Sequence, residues 1–439
     1  MLTLRKKAVA LAAAAAMIVP LAACGSDAAS KDDSAAKADG GTTELNVWGW
    51  EPLLSDVIEG FEKENPDIKV KLTNAGTNAD EYTALSNALN AGSGAPDVVQ
   101  LDFNAIPQFA LTEGLEDLGQ YGADDIMDQF TNGAKSAVTV QGKVYGLPLG
   151  TGPMAMFYNK DVFDKAGVTE APKTWDEFYE AAKKIRATGS YITSDSGDAG
   201  FAMSMMWQAG GEPFQLNGEN LTIDLTGDKG VRAFAEFWQK MISEDLIDTK
   251  TAGWSEDWYK SLNDGSIASL LTGAWMPITL ENSVKDAAGK YRVAALPTPG
   301  GEAVSSENGG GALAVVKGTK NAEAAYKFAQ YVAIGGGNKT FTEGGSFPPD
   351  KATLEDKAFL DKEWDYFGGQ QINQVLAQSA ADVKTEFQFL PFQVYANDVY
   401  ADTVGKAFSG DGTTMQDGLK QWQDKLVEYA EGQGYTVNK

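Results

Sequence analysis

The stretch Leu45–Leu72, LNVWGWEPLLSDVIEGFEKENPDIKVKL, decides the fold. Leu45-Asn46-Val47-Trp48 alternates apolar with polar and reads as a short strand. From Pro52 to Glu64 the residues Leu53, Leu54, Val57, Ile58 and Phe61 fall on one helical face, and Asn65-Pro66 ends the helix. Ile68 to Leu72 alternates again as a strand. Outward from there, Tyr82, Leu85, Ala88 and Leu89 give a second helix its apolar stripe, and Pro96 to Leu101 reads as a strand buried on both faces. Strand, helix, strand, helix, strand at this spacing predicts an α/β chain with a parallel sheet. Ligands of such sheets sit beyond the carboxyl ends of the strands, which here are Trp48 to Glu51, Asn74 to Asn78 and Asp102 to Asn104.

Later segments carry the same kind of signal. Thr174-Trp-Asp-Glu177 has the form of a capping box opening a helix through Phe178, Ala182 and Ile185. Val231 to Ile242 reads as a helix, Ile267 to Leu271 and Ala312 to Val316 as strands, and Ala322 to Val332 as a helix. Two phosphate-site look-alikes fail on context. Gly150-Thr-Gly152-Pro-Met-Ala155 holds a proline and runs on into a strand, and Gly335 to Thr340 lacks the glycine before its lysine and reads as a turn.

The other end of the argument is Cys24, the single cysteine of 439 residues, which excludes an intramolecular disulfide. Arg5-Lys6-Lys7, an apolar run from Ala8 to Ile18, Pro20 and then Leu21-Ala22-Ala23-Cys24 have the layout of a secretory leader, too short to span a bilayer comfortably. Leu-Ala-Ala-Cys resembles the bacterial lipoprotein box, so residues 1–23 are expected to be a signal peptide and Cys24 a lipidated mature terminus. Gly25 to Thr42 has no large apolar residue, and 24–42 is expected to form a flexible tether.

Removing Arg5, Lys6 and Lys7 with the leader leaves 33 of 36 basic residues against 61 acidic ones and takes the formal charge from −25 to −28. Such a surface repels nucleic acid and suits an exported protein. Histidine is absent, which excludes Ser-His-Asp and Cys-His catalysis and His-ligated zinc. A carboxylate pair of the glycosidase kind survives this exclusion.

Five segments in order, PDVVQLD (96–102), GKVYGLPLGTGPMAMFYNKDVFDKAG (142–167), PKTWDEF (172–178), LNDGSIASLLTGAW (262–275) and KNAEAAYKFAQYV (320–332), resemble the extracellular solute-binding proteins of carbohydrate ABC transporters, the maltose-binding family. The resemblance implies a two-lobed periplasmic-binding-protein-like fold of type II, with a ligand cleft between lobes joined by a hinge. The expected lobes are 43–150 with 311–348 and 151–310 with 349–439. It also implies an oligosaccharide ligand, ABC permease subunits as partners, a monomer held by lipid on the extracellular face of a Gram-positive membrane, no cofactor and no catalysis.

A sugar offers an apolar face and a rim of hydroxyls, so its site needs aromatic faces with carboxylates and amides beside them. Trp275 matches the family's Gly-x-Trp and is the first candidate for stacking. Of Trp48 and Trp50, one is expected to line the cleft and the other to pack a loop. Asp102 reads either as a sugar ligand or as a helix N-cap, and Asn78 lies beyond a strand end. Asp198 and Phe201 fall where the family has a sugar-binding acid and aromatic. Trp254, Asn308, Gly310, Tyr395 and Asn397 complete the candidates, whereas Trp175, Trp238 and Trp422 read as packing. Where the maltose-binding family has a sugar-contacting glutamate before Tyr-Asn-Lys-Asp, this chain has Thr151, Gly152 and Pro153, so maltose itself is not implied. Two other readings are an exported glycosidase with a carboxylate pair and a binding protein for a non-sugar solute.

Overall fold

The computed structural model describes residues 42–439, so the leader and nearly all of the tether predicted ahead of them, Cys24 included, lie outside the described residues. The opening pattern folds as its periodicity dictates. Strand β1 (Thr43–Trp48), helix α1 (Leu54–Glu64), β2 (Ile68–Thr73), α2 (Ala79–Ala91) and β3 (Val98–Asp102) form a parallel unit with β1 between its neighbours. Leu54, Val57, Ile58 and Phe61 of α1 are buried on this sheet, each contributing roughly 1.5–3 kcal/mol by leaving water. The helix starts two residues later than the sequence suggests, because Glu51 to Leu53 form a turn in which the Leu54 N–H donates to the Glu51 carbonyl at 3.1 Å.

Further along come α3 (Asn132–Ala137), the 13-residue strand β4 (Leu147–Asn159), α4 (Trp175–Ala187), α5 (Ala199–Gln208) and α6 (Lys229–Ser243). The capping box at α4 is present, with the Glu177 N–H donating to Thr174 Oγ1 and the Thr174 N–H to the Glu177 carboxylate. Strands β5 (Ser269–Gly273), β6 (Tyr291–Ala295) and β7 (Glu307–Val315) complete a seven-stranded sheet in the order β5-β4-β7-β3-β1-β2, with β6 also on β4. All the pairings added to this sheet after β3 are antiparallel, so within it the parallel expectation holds only for the first three strands.

The long strands β4 and β7 cross from one lobe to the other. Leu147 to Thr151 pair with β7, while Met154 to Asn159 pair with β5 and β6. At the other end of β7, Gly311 to Val315 pair with β3. One apolar core takes residues from Leu45 to Leu149 and from Ala312 to Phe341; another takes residues from Met154 to Leu296 and from Val383 to Ala430. A third, smaller one lies around Phe157, Tyr291 and Phe367. Gly336–Glu343 forms a helix where the sequence suggested a turn, because Gly337 lets it approach Val332 and Val57 closely. Gly150 to Ala155 lie within β4, and no helix among the described residues is long and apolar enough to cross a membrane.

Candidate functional site

The site forms where β1, β2 and β3 end and face the crossing strands. β1 stops at Trp48, and the Gln100 side chain accepts the N–H groups of Trp50 and Glu51, both at 3.1 Å, turning the loop so that Trp50 enters the cleft. A cavity of about 680 Å³ lies there. From the first lobe it is walled by Trp50, Glu51, Asn78, Asp102, Phe103 and Asn104. Asp198, Ser204, Trp207, Trp254, Trp275 and Asn397 face them from the other side, with Glu307 to Gly310 crossing between.

Nine candidates therefore meet in one cavity: Trp50, Asn78, Asp102, Asp198, Trp254, Trp275, Asn308, Gly310 and Asn397. Three do not. Trp48 is half-buried against the first core, because strand alternation ends with it and does not carry through the turn to Trp50. Tyr395 stacks on Tyr429, centroids 3.8 Å apart, and packs on the second core instead. Phe201 leans on Trp238 at 5.1 Å and lines a neighbouring chamber of about 320 Å³ with Trp258. A separate cavity of about 580 Å³ between Pro277, Phe347, Phe359 and Trp364 contains none of the candidates.

Trp275 opens helix α7 (Met276–Ser283), and its indole N–H donates to the Asn308 carbonyl at 2.7 Å. That bond needs small neighbours. A Cβ on Gly273 would lie 2.4 Å from Trp275 Nε1, and one on Gly309, whose φ is +82°, would lie 2.8 Å from it. The family's Gly-x-Trp thus has a steric reason here. Asn308 is also bound through its side chain, accepting from Thr272 Oγ1 and donating to Ser204 Oγ, so it positions the tryptophan.

Trp254 lies against both Trp275 and Trp258, with centroids 5.4 and 5.3 Å away. It is 53% exposed, the one exposed large apolar side chain among the described residues, and its φ is +67°. A bulky residue in the left-handed region costs on the order of 1–3 kcal/mol, and such strain concentrates at functional sites.

The polar groups of the cleft are held rather than loose. The Asp102 carboxylate accepts from Tyr82 Oη at 2.7 Å and from Asn78 Nδ2, both on Oδ2. It therefore does not act as the helix N-cap that its position also suggested. Asp198 does cap α5, accepting the Phe201 N–H at 2.7 Å, and also faces the cavity. Beneath it Asp195 accepts the N–H groups of Gly197 and Asp198 and the Trp238 indole N–H.

The sequence reading missed Trp207, Phe389, Ser204 and Glu307, while Glu51 and Asn104 lie in the strand-end segments it marked for ligand. For Phe389 a signal existed, since it lies in the late aromatic segment that supplied Tyr395. Glu307 had none, because its partners Thr151 and Gly152 lie 156 and 155 residues away.

With this geometry in view, the sequence profile of the bacterial extracellular solute-binding proteins matches residues 50–333. The chain belongs to that family. This solute-binding protein is 28% identical over 406 residues to the arabinooligosaccharide-binding protein of Halalkalibacterium halodurans, covering 88% of this chain and 89% of the relative. The ABC transporter associated binding protein from B. animalis subsp. lactis, solved in complex with β-1,6-galactobiose, is 53% identical. The two superpose with a TM-score of 0.81 over 91% of this chain and all of the other. The galacto-N-biose-/lacto-N-biose I-binding protein of Bifidobacterium longum, in complex with lacto-N-biose, shares 28% identity and a TM-score of 0.79, again over 91% and 100%. The family and these relatives are binding proteins.

Two carboxyls beside the cavity lead to an expected pH dependence of binding. Burial pushes Asp102 up to about 6, against the opposing pull of its Tyr82 and Asn78 hydrogen bonds. Burial and the Asp102 charge push Glu81 up to about 8, so Glu81 is neutral at pH 7 and adds no second charge beside it. A charged Asp102 offers the cavity an acceptor for hydroxyl groups, and its protonation removes that acceptor. Affinity measured by calorimetry is expected to fall below pH 6, by at most about tenfold per pH unit. Asp102→Asn should flatten the profile; an unchanged slope in that variant would exclude Asp102 as the titrating group.

Glu307 acts on stability instead. Its buried carboxylate accepts from Thr151 Oγ1 and the Gly152 N–H, both at 2.7 Å, yet burial outweighs these bonds and raises it from 4.5 to about 7. The folded state holds this proton more tightly than the unfolded one. Its contribution is thus complete below pH 4.5 and lost as pH rises through 7, about 3 kcal/mol in all. In urea unfolding at pH 5 and pH 8, Glu307→Gln is expected to gain relative to the native chain at the higher pH. A gap independent of pH would contradict this.

Proposed function

We propose that this solute-binding protein captures a neutral oligosaccharide, one that includes galactosyl units, and presents it to an ABC importer permease. The observation that carries the reading is the single cavity in which Trp50 faces Trp254 and Trp275 across the cleft with Asp102, Asn78, Asp198 and Asn397 between them. Aromatic faces cover the apolar side of a pyranose, and the carboxylates and amides pair its hydroxyls. Ligand that touches both lobes favours the closed form by however much more tightly that form holds it. The permease then reads the closed shape.

In this reading the lobes divide as 43–150 with 311–348 and 151–310 with 349–439, and residues 1–23 are removed on export. Lipid on Cys24 holds a monomer to the outer face of the membrane, with residues 25–42 as its leash. Among the relatives, a maltooligosaccharide-binding protein of Streptococcus pneumoniae is itself described as a lipoprotein. The same cavity binds without hydrolysing. Three of the four carboxylates in its wall are engaged within the protein: Asp102 holds Tyr82 and Asn78, Asp198 the start of α5, and Glu307 holds Thr151 and Gly152.

Thermal unfolding of residues 25–439 with di- to tetrasaccharides of galactose, arabinose and glucose tests this directly. Ligand at a hundred times its dissociation constant adds about 2.7 kcal/mol, enough to raise the midpoint by a few degrees. A shift for one chemical series, with the sugar recovered intact, is the expected result. Cleaved sugar would replace the binding protein by a glycosidase, and silence across the whole panel would turn the search to other solutes.

A further inference from the structure

We propose that Glu51 makes the cavity a charge filter, which takes neutral saccharides, disfavours those that carry a carboxylate and holds one with a protonated amine more tightly than its neutral parent. This rests on the oligosaccharide reading above and specifies the charge of the ligand.

Four side chains in the cavity wall can carry a charge, Glu51, Asp102, Asp198 and Glu307, and all four are acids. Among the described residues no lysine or arginine lines the cavity, and none of the four acids takes part in an ion pair. Burial raises Glu51, Asp102 and Glu307 above the usual carboxylate range; hydrogen bonds oppose it in the last two, and a cation opposes it in none. Sugar hydroxyls need acceptors but no countercharge. A ligand carboxylate would meet like charge without a counterion, in a cleft where displaced water no longer screens it. An ammonium in the same place would find charged acceptors.

Glu51 is the acid whose side chain is left to act on ligand. The other three are engaged in holding Tyr82, Asn78, the start of α5 and the crossing strand β4. Glu51 is instead fixed through its backbone, its N–H donating to Gln100 Oε1 and its carbonyl accepting the Leu54 N–H, both at 3.1 Å. Its half-buried carboxyl has no hydrogen-bond partner among the described residues. The same turn carries Trp50, so a sugar lying on that indole passes beside this carboxyl. An acid just ahead of α1 also suits the positive end of the helix. That role alone would show as lost stability in Glu51→Gln, with ligand selectivity unmoved.

Calorimetry of residues 25–439 at pH 7 decides between them. The probes are a galactosyl disaccharide and three analogues, with either unit replaced in turn by galacturonate, by its uncharged amide or by galactosamine. The amide has the shape of the uronate without its charge, so the ratio of the two affinities isolates charge. The uronate is expected to bind at least about thirtyfold more weakly than the amide, and the amine about threefold to tenfold more tightly than the parent. Glu51→Gln should lower the amide-to-uronate ratio about tenfold and abolish the preference for the amine. Glu51→Lys should reverse the order of uronate and amide. Uronate and amide binding alike to the native chain would overturn the proposal and leave the oligosaccharide reading standing. So would a ratio that Glu51→Gln leaves intact and Asp102→Asn removes, which would pass the role to Asp102. Failure of the neutral disaccharide, and of every other neutral sugar of the thermal panel, would overturn the oligosaccharide reading and this one with it.

Discussion

Trp275→Ala is expected to weaken oligosaccharide binding by roughly thirtyfold to a hundredfold, the loss typical of a central aromatic anchor. The substitution removes more than one stacking face. Trp275 is the surface on which Trp254 leans at 5.4 Å, so the strained loop that lifts Trp254 into the cleft loses its support. The Asn308 carbonyl also loses its indole donor beside the crossing strand. Trp275→Phe should fall between the two, keeping an aromatic face and losing the hydrogen bond. Because Trp275 is only half-buried, the alanine variant should keep a native far-ultraviolet spectrum and a cooperative unfolding transition. Calorimetry with the tightest sugar of the panel gives the answer. Binding within threefold of the native chain would place the sugar elsewhere than against this wall.

The second large effect concerns stability. Trp238→Ala should cost about 3–5 kcal/mol in urea unfolding, the range for deleting a buried aromatic side chain. Trp238 is fully buried on α6 and packs against Phe201, Phe234 and Phe237 at centroid distances of 5.1 to 6.0 Å. Its indole N–H is one of the donors holding Asp195, whose carboxyl burial already pushes up to about 6. Without that donor the buried acid is left less satisfied, and Asp195 in turn organises the turn that presents Asp198 to the cleft. Sugar affinity should therefore drop along with stability. Trp254→Ala is the contrasting control, an exposed tryptophan whose loss should affect stability by less than about 1 kcal/mol. A cost below 1 kcal/mol for Trp238→Ala would contradict its place in the core.

Much of the cleft was legible because several of its residues stand at the ends of locally patterned elements. Asp102 and Asn78 follow from the parallel unit, since the ends of its strands are visible as the ends of apolar runs. Trp275 stands out through Gly273 and the strand before it. Of Trp48 and Trp50, expected to divide between cleft and packing, it is Trp50 that reaches the cleft, because the turn after β1 is made by Gln100 from another strand and no local pattern shows it. Tyr395 lies in a segment rich in aromatics, where composition cannot say which ring meets Tyr429 and which reaches the cleft.

By itself, then, the sequence determined the α/β alternation from Thr43 to Asp102, the capped helix at Thr174, the burial of Trp175, Trp238 and Trp422, and the absence of histidine chemistry. These depend on periodicity, capping and composition, which act within a few residues or not through position at all. Tertiary structure alone decided that β4 and β7 cross between lobes, that Glu307 meets Thr151 and Gly152, and that Trp207 packs on Phe387 and Phe389. Each of these brings together residues more than a hundred positions apart. No local preference records such contacts, because they form only when the two lobes are joined through strands that run from one to the other.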